Sequence, residues 1–395
     1  MVTLYSEKKL EILDSYIKFV ESELAKPVEN RVGTIDKEHL KIVRRLKSDF
    51  KNKLSSEQQH EYNKSGTSIY LNHYPMPISV QFELTSRCNQ ACIQCYNQSG
   101  MDKNRKNEDI PIEKWIETAK ELAQIPIPQV IISGGEPTLL GEDLFKIMDI
   151  FHEIGTHFIF ITNGMNINES NIDRFAKYNY AWMQFSIDGA TEEVHDHVRG
   201  AKGSFKKVVR AASLARSRGI PVGIASTIIR HNLHEINELI DLAYNLGAFK
   251  ITLGEFMYAG RAVKNKESIA LDDKDISQIR RAILKKSIQY GNLLKVIKPT
   301  DPALSLRYKM CSISTGALIR PNGEVRIDCQ APARIGNIMD SSIIDIWKKI
   351  GYKGWSQPSL LDYISKIYTY MDLNNTYPRT HVDPDIDLSI YSEVY

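Results

Sequence analysis

One stretch of the sequence decides how the rest is interpreted: ISVQFELTSRCNQACIQCY, residues 78–96. It begins with an apolar, β-rich run, Ile78–Leu84, and continues into a loop that contains Cys88, Cys92 and Cys95. Three thiolates at this spacing sit in one loop and can face a common point. The stretch therefore predicts a strand followed at its carboxyl end by a metal site or a reaction centre.

Five similar runs follow the first, with amphipathic stretches between them. The six runs are Ile78–Leu84, Gln129–Ser133, His157–Thr162, Ala181–Ile187, Val222–Ile228 and Phe249–Leu253. The amphipathic stretches lie near residues 112–125, 141–154, 170–178, 204–218 and 233–246. Strands that alternate with helices imply parallel pairing with right-handed crossovers. Because eight such units close a full barrel, six predict an α/β fold with a partial, open (β/α)6 TIM-like barrel.

The notable motifs fall directly after these strands. The cysteines follow the first strand, Gly134–Pro137 follows the second, Asn163-Gly164 the third and Asp188-Gly189 the fourth. In barrels of this kind the chemistry takes place at the carboxyl ends of the strands. The motif positions therefore predict a single active-site rim.

The five cysteines divide into the triplet and a distant pair, Cys311 and Cys329. An odd and sparse count in a chain of this length rules against a disulfide scaffold. Structural zinc needs a fourth ligand, usually from a second paired motif, and nothing of that form lies near the triplet. An iron–sulfur cube held by three cysteines leaves one iron without a protein ligand, and a small molecule can chelate that iron.

The triplet resembles the signature of the radical S-adenosylmethionine (SAM) enzymes, with the aromatic Tyr96 after the last cysteine instead of before it. Gly134–Pro137 resembles the glycine-rich motif of the same family, and Ser186–Gly189 with Arg199 resembles a further stretch of it. The resemblance covers residues 78–350 and implies a 4Fe-4S cluster on Cys88, Cys92 and Cys95, with SAM bound to the open iron.

The resemblance also implies which residues contact SAM. They are Tyr96, Gly134, Gly135, Glu136, Pro137, Asn163, Ser186, Asp188, Arg199 and Ser226. Within this set the glycine-rich loop holds the methionine amino group, and Arg199 pairs with the carboxylate. The implied reaction is one-electron cleavage of SAM, with a flavodoxin or ferredoxin as reductant, followed by abstraction of a substrate hydrogen by the 5′-deoxyadenosyl radical.

Cys311–Gly316, Pro321–Cys329 and Ile335–Ile338, followed by Ile343–Trp347, resemble the beginning of a SPASM or twitch domain, a small α+β unit that carries auxiliary iron–sulfur clusters in the family. Ala317–Arg320 and Glu324–Ile327 flank Pro321-Asn322-Gly323 and predict a β-hairpin. Ile343–Lys349 predicts a short helix. The sequence is therefore divided into a helical extension (residues 1–75), the barrel (76–300), the SPASM/twitch-like domain (301–355) and a C-terminal tail (356–395).

The pair Cys311 and Cys329 leaves three alternatives open, because no cysteine follows Cys329 to complete the family's set. An auxiliary cluster would need further ligands such as Asp328 or His381, or a partner chain. In the second alternative, the domain kept its fold and lost its cluster, so it needs no further ligands. We expect no auxiliary cluster. In the third alternative, one of the two thiols is a catalytic hydrogen-atom donor to a substrate radical, as in radical epimerases.

Composition excludes several classes of partner. The chain has 395 residues, with 51 Lys and Arg against 48 Asp and Glu, a net charge of +3 that does not indicate a nucleic-acid partner. The N-terminus does not resemble a signal peptide, and no apolar run of about 18 residues predicts a membrane span. We therefore expect a cytoplasmic protein. His195 and His197 form an H-x-H pair, which we expect to be surface or hydrogen-bonding residues.

Three functional hypotheses remain. The first is a radical SAM enzyme that crosslinks or epimerises a ribosomally made peptide. The second is the same machinery acting on a small molecule, such as a sugar or cyclitol, as a dehydrogenase or epimerase. The third is a non-catalytic iron–sulfur binding protein that kept the fold, against which the intact triplet and glycine-rich motif argue.

Overall fold

The computed structural model describes residues 2–27, 35–62, 76–100, 109–125, 127–298, 301–312, 314–331, 333–369, 372–373 and 386–388. The strands are β1 Ser79–Glu83, β2 Gln129–Ser133, β3 His157–Thr162, β4 Tyr180–Ser186, β5 Val222–Ile228, β6 Lys250–Glu255, β7 Lys295–Ile297, β8 Gly316–Ile319, β9 Glu324–Arg326, β10 Ala333–Asn337 and β11 Ile386–Asp387. Most of the predicted tail lies outside the described residues.

Helices precede, separate and follow these strands. They are α1 Val2–Leu24, α2 Lys37–Tyr62, α3 Ile112–Ala123, α4 Glu142–Glu153, α5 Ile172–Phe175, α6 Glu192–Arg199, α7 Ser204–Ser217, α8 Ile236–Asn245, α9 Arg261–Lys264, α10 Lys266–Ile269, α11 Asp273–Tyr290, α12 Pro302–Met310, α13 Ile343–Lys349 and α14 Pro358–Ser365. The helical N-terminus and the helix at Ile343–Lys349 are confirmed. Among the described residues, no helix combines the length and apolar content needed to cross a bilayer.

A single open sheet runs through the described part of the chain in the order β11-β10-β9-β8-β1-β2-β3-β4-β5-β6-β7. Neighbours from β1 to β7 pair in parallel, which confirms the partial barrel and its six predicted strands. The predicted hairpin forms from β8 and β9, and β8 pairs in parallel with β1. The barrel sheet therefore continues into the C-terminal region without a break.

The two faces of the barrel strands differ in polarity, because successive side chains of a strand point to opposite faces. Outward positions are large and apolar: Phe82 packs against Trp115 of α3 and Phe151 of α4, with ring centroids 5.5 and 5.6 Å apart. Inward positions include Gln81 of β1 and Gln184 of β4. Burial of the outer face against the helices stabilises the barrel and leaves a polar interior for ligands.

The N-terminal helices pack against the C-terminal region. Arg307 of α12 is fully buried, and its guanidinium lies over the ring of Tyr16 of α1 at 3.7 Å from the centroid. The hydroxyl of Tyr16 contacts Nε2 of His39 of α2 at 2.8 Å. Arg307 also donates to the carbonyl of Ile367 at 2.6 Å. These contacts join both ends of the chain on one side of the molecule.

Candidate active site

The carboxyl ends of β1 to β6 surround a cavity of about 340 Å³. The sequence-predicted residues that line it are Cys88, Cys92, Cys95, Tyr96, Gly134, Gly135, Asn163, Ser186, Arg199 and Ser226. These residues come from the loops after β1, β2 and β3, from the end of β4, and from β5 and α6. Glu136, Pro137 and Asp188 are buried outside the cavity lining, and Cys311 and Cys329 also lie outside it.

The three cysteines stand in a largely desolvated setting. Cys88 and Cys92 are buried and Cys95 is half-buried. Asn163 Nδ2 donates to Cys88 Sγ at 3.8 Å, and Arg199 Nη1 donates to Cys92 Sγ at 3.6 Å. Burial raises the pKa of Cys88 to about 12 and also raises the pKa of Cys92. Thiolates in such a place need a nearby positive group, and metal ligation supplies one.

The cysteines suit a cluster better than a single ion. Across the described ranges, no three His, Cys, Asp or Glu side chains converge as ligands of one metal ion would. The triplet instead faces a shared cavity. In an iron–sulfur cube each cysteine binds a different iron, so the ligands are spread around the cluster. The residues present therefore fit a cube with three protein ligands and an open iron.

The glycine-rich loop is pressed against the cysteine loop. The N–H of Gly135 donates to Thr85 O at 2.6 Å, and the N–H of Glu136 donates to Arg87 O at 2.8 Å. A Cβ on Gly135 would overlap the carbonyl oxygen of Arg87, and one on Gly134 (φ +135°) would lie 2.8 Å from Thr85 O. Only glycine allows this close approach, which leaves the loop backbone at the cavity wall.

Glu136 supports this wall from behind. Its fully buried carboxylate accepts hydrogen bonds from Thr138 Oγ1 at 2.6 Å, Thr162 Oγ1 at 2.8 Å and the backbone N–H of Asn163 at 2.8 Å. Burial nevertheless raises the pKa of Glu136 above its usual value. Asn163 in turn donates to Asn89 Oδ1 at 2.7 Å. Glu136 thereby positions the asparagine that contacts Cys88.

Asp188 joins three sides of the cavity. Its carboxylate, fully buried, accepts from Gln94 Nε2 of the cysteine loop at 2.6 Å and from Thr227 N–H of β5 at 2.8 Å. It pairs with Arg199 Nε of α6 at 2.8 Å and accepts from Ser226 Oγ at 3.2 Å. Burial opposes the charge of Arg199, but Asp188 and Cys92 outweigh it, so the pKa of Arg199 is raised.

His195 belongs to the same region but not to the cavity. It is fully buried on α6, and its Nδ1 accepts the backbone N–H of Asp188 at 3.2 Å. Burial and Arg199 lower the pKa of His195 to about 3, so the ring is neutral at physiological pH. The histidine therefore supports Asp188, in agreement with the hydrogen-bonding role expected from the sequence.

A clamp on the cysteine loop was missed by the sequence analysis. Arg261 lines the cavity and donates to Cys92 O at 2.9 Å and Ser99 O at 2.7 Å. Asn265 donates to Ile93 O at 2.9 Å. A Cβ on Gly260 would lie 2.7 Å from Cys95 O. The available signal was the position of Gly260-Arg261 after β6, where active-site residues of such barrels lie.

A buried ion pair links the cavity to the C-terminal hairpin. The hydroxyl of Tyr96 donates to Glu83 Oε1 at 2.7 Å, and Glu83 Oε2 lies 2.7 Å from Arg320 Nη1. Cys329 lies near this group, since Tyr96 and Glu83 each interact electrostatically with it. Burial and Asp328 raise the pKa of Cys329 to about 12. Cys311 is half-buried at the end of α12.

Residues 82–243 match the family model described as "Radical SAM superfamily". Residues 82–243 therefore form a domain of the radical SAM superfamily. The chain is thus an enzyme with a domain whose family implies a 4Fe-4S cluster and SAM. The matched region contains β1 to β5, the triplet, the glycine-rich loop and Arg199.

Two relatives of the chain are, by name, a peptide cyclase and a maturation protein. The chain is 27% identical over 282 residues to the PqqA peptide cyclase of Ruegeria pomeroyi, covering 69% of this chain and 74% of that one. It is 28% identical over 273 residues to the sporulation killing factor maturation protein SkfB of Bacillus subtilis, covering 69% and 65%.

A solved structure shares the fold. Streptococcus suis SuiB bound to precursor peptide SuiA aligns with a TM-score of 0.57 at 15% identity, over 82% of this chain and 73% of that one. The same protein bound to S-adenosylmethionine aligns with a TM-score of 0.58 at 16% identity, over 82% and 74%.

Proposed function

We propose that this radical SAM enzyme abstracts a hydrogen atom from a ribosomally made peptide and so crosslinks or epimerises it. The observation that carries the proposal is the cavity, which combines the cysteine triplet, the glycine-rich loop and Arg199 at the carboxyl ends of the barrel strands. The names of the relatives, a peptide cyclase and the maturation protein of a sporulation killing factor, support the substrate class.

The residues for the cofactors follow from the same cavity. Cys88, Cys92 and Cys95 hold the 4Fe-4S cluster, and Asn163 and Arg199 donate hydrogen bonds to two of the sulfurs. Such bonds adjust the reduction potential of iron–sulfur centres. When bound, the cluster and SAM supply a carbon-centred radical able to take hydrogen from an unactivated carbon.

This chain's own groups orient SAM. The backbone at Gly134 and Gly135 accepts the methionine ammonium, and Arg199 holds the carboxylate with N–H donors beyond those that contact Asp188 and Cys92. Ser186 and Ser226 bind the ribose hydroxyls. Glu136, Pro137 and Asp188 act from behind the wall as positioning residues, and Tyr96 presents its ring while Glu83 holds its hydroxyl.

The lining of the cavity favours radical chemistry over acid–base chemistry. Among the described residues that line it, the ionisable side chains are the three cysteines, Tyr96, Arg199 and Arg261. A general acid–base reaction needs a titratable donor and acceptor at the substrate, such as a histidine or a carboxylate. The neutral polar groups of Gln81, Gln184 and Thr252 instead offer hydrogen bonds that hold a substrate group in place.

The cofactor assignment is tested by an iron count on anaerobically reconstituted protein. Wild type is compared with the Cys88→Ala/Cys92→Ala/Cys95→Ala variant and with the Cys311→Ala/Cys329→Ala variant. We expect about four irons in wild type, about none in the first variant and about four in the second, because one cube accounts for the iron. Two to four irons remaining (roughly) in the first variant would show an auxiliary cluster on Cys311 and Cys329.

The substrate class is tested by producing the enzyme together with each short peptide encoded beside its gene. A crosslink removes a pair of hydrogen atoms from the peptide mass, and an epimerisation in heavy water adds deuterium at one carbon. Formation of 5′-deoxyadenosine with dithionite, but without any peptide change, would favour the small-molecule hypothesis. Absence of 5′-deoxyadenosine from the cluster-loaded protein would contradict an enzymatic role.

A further inference from the structure

Strand β7 ends the sheet on the side away from the C-terminal strands. Of the strands in the described ranges, only β6 pairs with it. The N–H of Lys295 donates to Phe249 O at 2.9 Å, so Lys295 faces β6. Because the N–H and C=O of successive residues in a strand point to opposite edges, Val296 presents both of its groups to the open edge. Such an edge is a template for pairing with another extended segment.

Helix α11, which packs against β7, and the connection between them carry exposed aliphatic side chains. Leu284 and Ile288 of α11 are 64% and 76% exposed, and Leu293, in the short connection from α11 to β7, is 69% exposed. Leu284 and Ile288 are one helical turn apart and therefore form neighbours on one face of α11. Large aliphatic groups at this exposure, on a helix that packs against the edge strand of the sheet, mark an interaction surface more than a solvated one.

The charge around the edge favours an acidic partner. Lys295 lies directly opposite Lys250 in the β6–β7 register, and burial and Lys295 both lower the pKa of Lys250. Arg281 and Lys285 are exposed on α11. The carboxylate of Asp241 is already engaged by Lys286 at 2.5 Å. Lysines facing each other across a strand pair repel, so an acidic segment at this edge would relieve the repulsion.

The direction of β7 determines where the chain of a docked segment would continue. All strands from β1 to β7 are parallel, so their carboxyl ends meet at the rim of the cavity. A segment that pairs in parallel with β7 leaves the sheet at the same rim and carries the residues that follow it toward the cavity. An antiparallel segment would carry them to the opposite end of the barrel.

We infer that the edge of β7, with Leu284, Ile288 and Leu293 beside it, binds an extended, acidic and apolar segment of the substrate peptide that precedes the modified residues. The segment adds a parallel strand to the sheet, and its side chains cover the exposed aliphatic groups. The inference rests on the proposed peptide substrate and adds where that peptide docks.

The test uses the cluster-loaded enzyme and a fluorescein-labelled peptide of alternating valine and glutamate, about ten residues long. We expect the peptide to bind, with protection of the 294–298 backbone from hydrogen exchange.

Leu284→Glu/Ile288→Glu should raise the Kd at least about tenfold, because it places charge on the apolar contact. Val296→Pro should do the same by removing the edge N–H while the Lys295 bond to β6 remains. Met339→Glu, at a 52% exposed methionine elsewhere, is the matched control and should leave the Kd unchanged.

Each outcome has a defined meaning. An unchanged Kd in both β7-side variants, in protein with wild-type thermal unfolding, overturns the inference. So does a change in the oligomeric state of the ligand-free variants, because a second copy of the chain would then cover this face. Equal affinity for a valine–lysine peptide would contradict the charge argument. If these variants process a natural peptide with an unaltered KM, the docking site is contradicted and the proposed function is not. If the probe binds but no peptide is modified, the proposed function is contradicted and the docking site is not.

Discussion

The two groups of cysteines occupy different kinds of surroundings. Cys88, Cys92 and Cys95 share a cavity, and donors from the loop after β3 and from α6 reach two of their sulfurs. Cys311 and Cys329 lie outside that cavity, and Cys329 lies near the Tyr96–Glu83 contact. The loops that converge on the triplet, and not the number of cysteines, therefore distinguish the three proposed cluster ligands from the other pair. The following experiments test how far the two regions differ.

The largest effect is expected from the cysteines themselves. Cys92→Ala should abolish the iron–sulfur absorption and lower 5′-deoxyadenosine formation by at least about 100-fold, because the cluster loses one of its three protein ligands. Cys329→Ala, the control from the other group, should keep both. Loss of activity with full iron content in Cys329→Ala would instead support the hydrogen-donor alternative.

The ion pair between Glu83 and Arg320, which links the cavity to the C-terminal hairpin, should give the next largest effect. Arg320→Met leaves the buried carboxylate of Glu83 without its partner and should lower the free energy of unfolding by about 3 kcal/mol. Chemical denaturation measures the change. Arg174→Met breaks the exposed pair with Glu142 and should have no measurable effect. Equal stability of both variants would show that Glu83 does not connect the cavity to the hairpin.

The wall of the cavity should be less tolerant of added volume than the surface. Gly135→Ala forces the loop away from Arg87 and should cost about 3 kcal/mol of stability, together with part of the bound iron. Gly219→Ala is the control: its φ is +75°, but nothing lies near the added Cβ, and about 1 kcal/mol is expected from backbone strain alone. If the Gly135 variant unfolds like the control, the close packing of the two loops is not needed.

The contact between the N-terminal helices and the C-terminal region should depend on pH. Burial lowers the pKa of His39 to about 4, so the unfolded chain binds the extra proton and stability is lost as the pH falls from about 6.5 to 4. The loss should be about 3 kcal/mol relative to His39→Gln, which retains a polar group near Tyr16 without titrating. His234→Gln, at an exposed histidine, is expected to follow the wild-type profile. A pH profile of His39→Gln identical to wild type would rule out this contribution.

The elements that sequence analysis predicted well are those with a local pattern. The six barrel strands alternate apolar and polar residues or run apolar for their whole length, and the triplet and glycine-rich loop follow them directly. The order of the six strands along the chain is therefore enough to bring ten of the candidate residues to one cavity.

What was not predicted depends on partners distant in the chain. Asp188 was predicted to contact SAM, yet its carboxylate is already bound by Gln94, by Arg199 and by a backbone N–H of β5. No local sequence pattern reveals these three contacts. Helix α6 and strand β7 were also missed, the former because it is polar and the latter because it has only three residues. The Arg261 clamp depends on carbonyl groups of a loop far away in sequence.

The parallel pairing of β8 with β1 has a consequence for the order of events during synthesis. Strand β1, which leads into the cysteine loop, has β2 on one side and β8 on the other. Translation releases β2 early, but β8, Gly316–Ile319, is made only after all the strands from β2 to β7. The nascent chain therefore leaves one edge of β1 unpaired until most of the polypeptide has left the ribosome, and Arg320 reaches Glu83 only then.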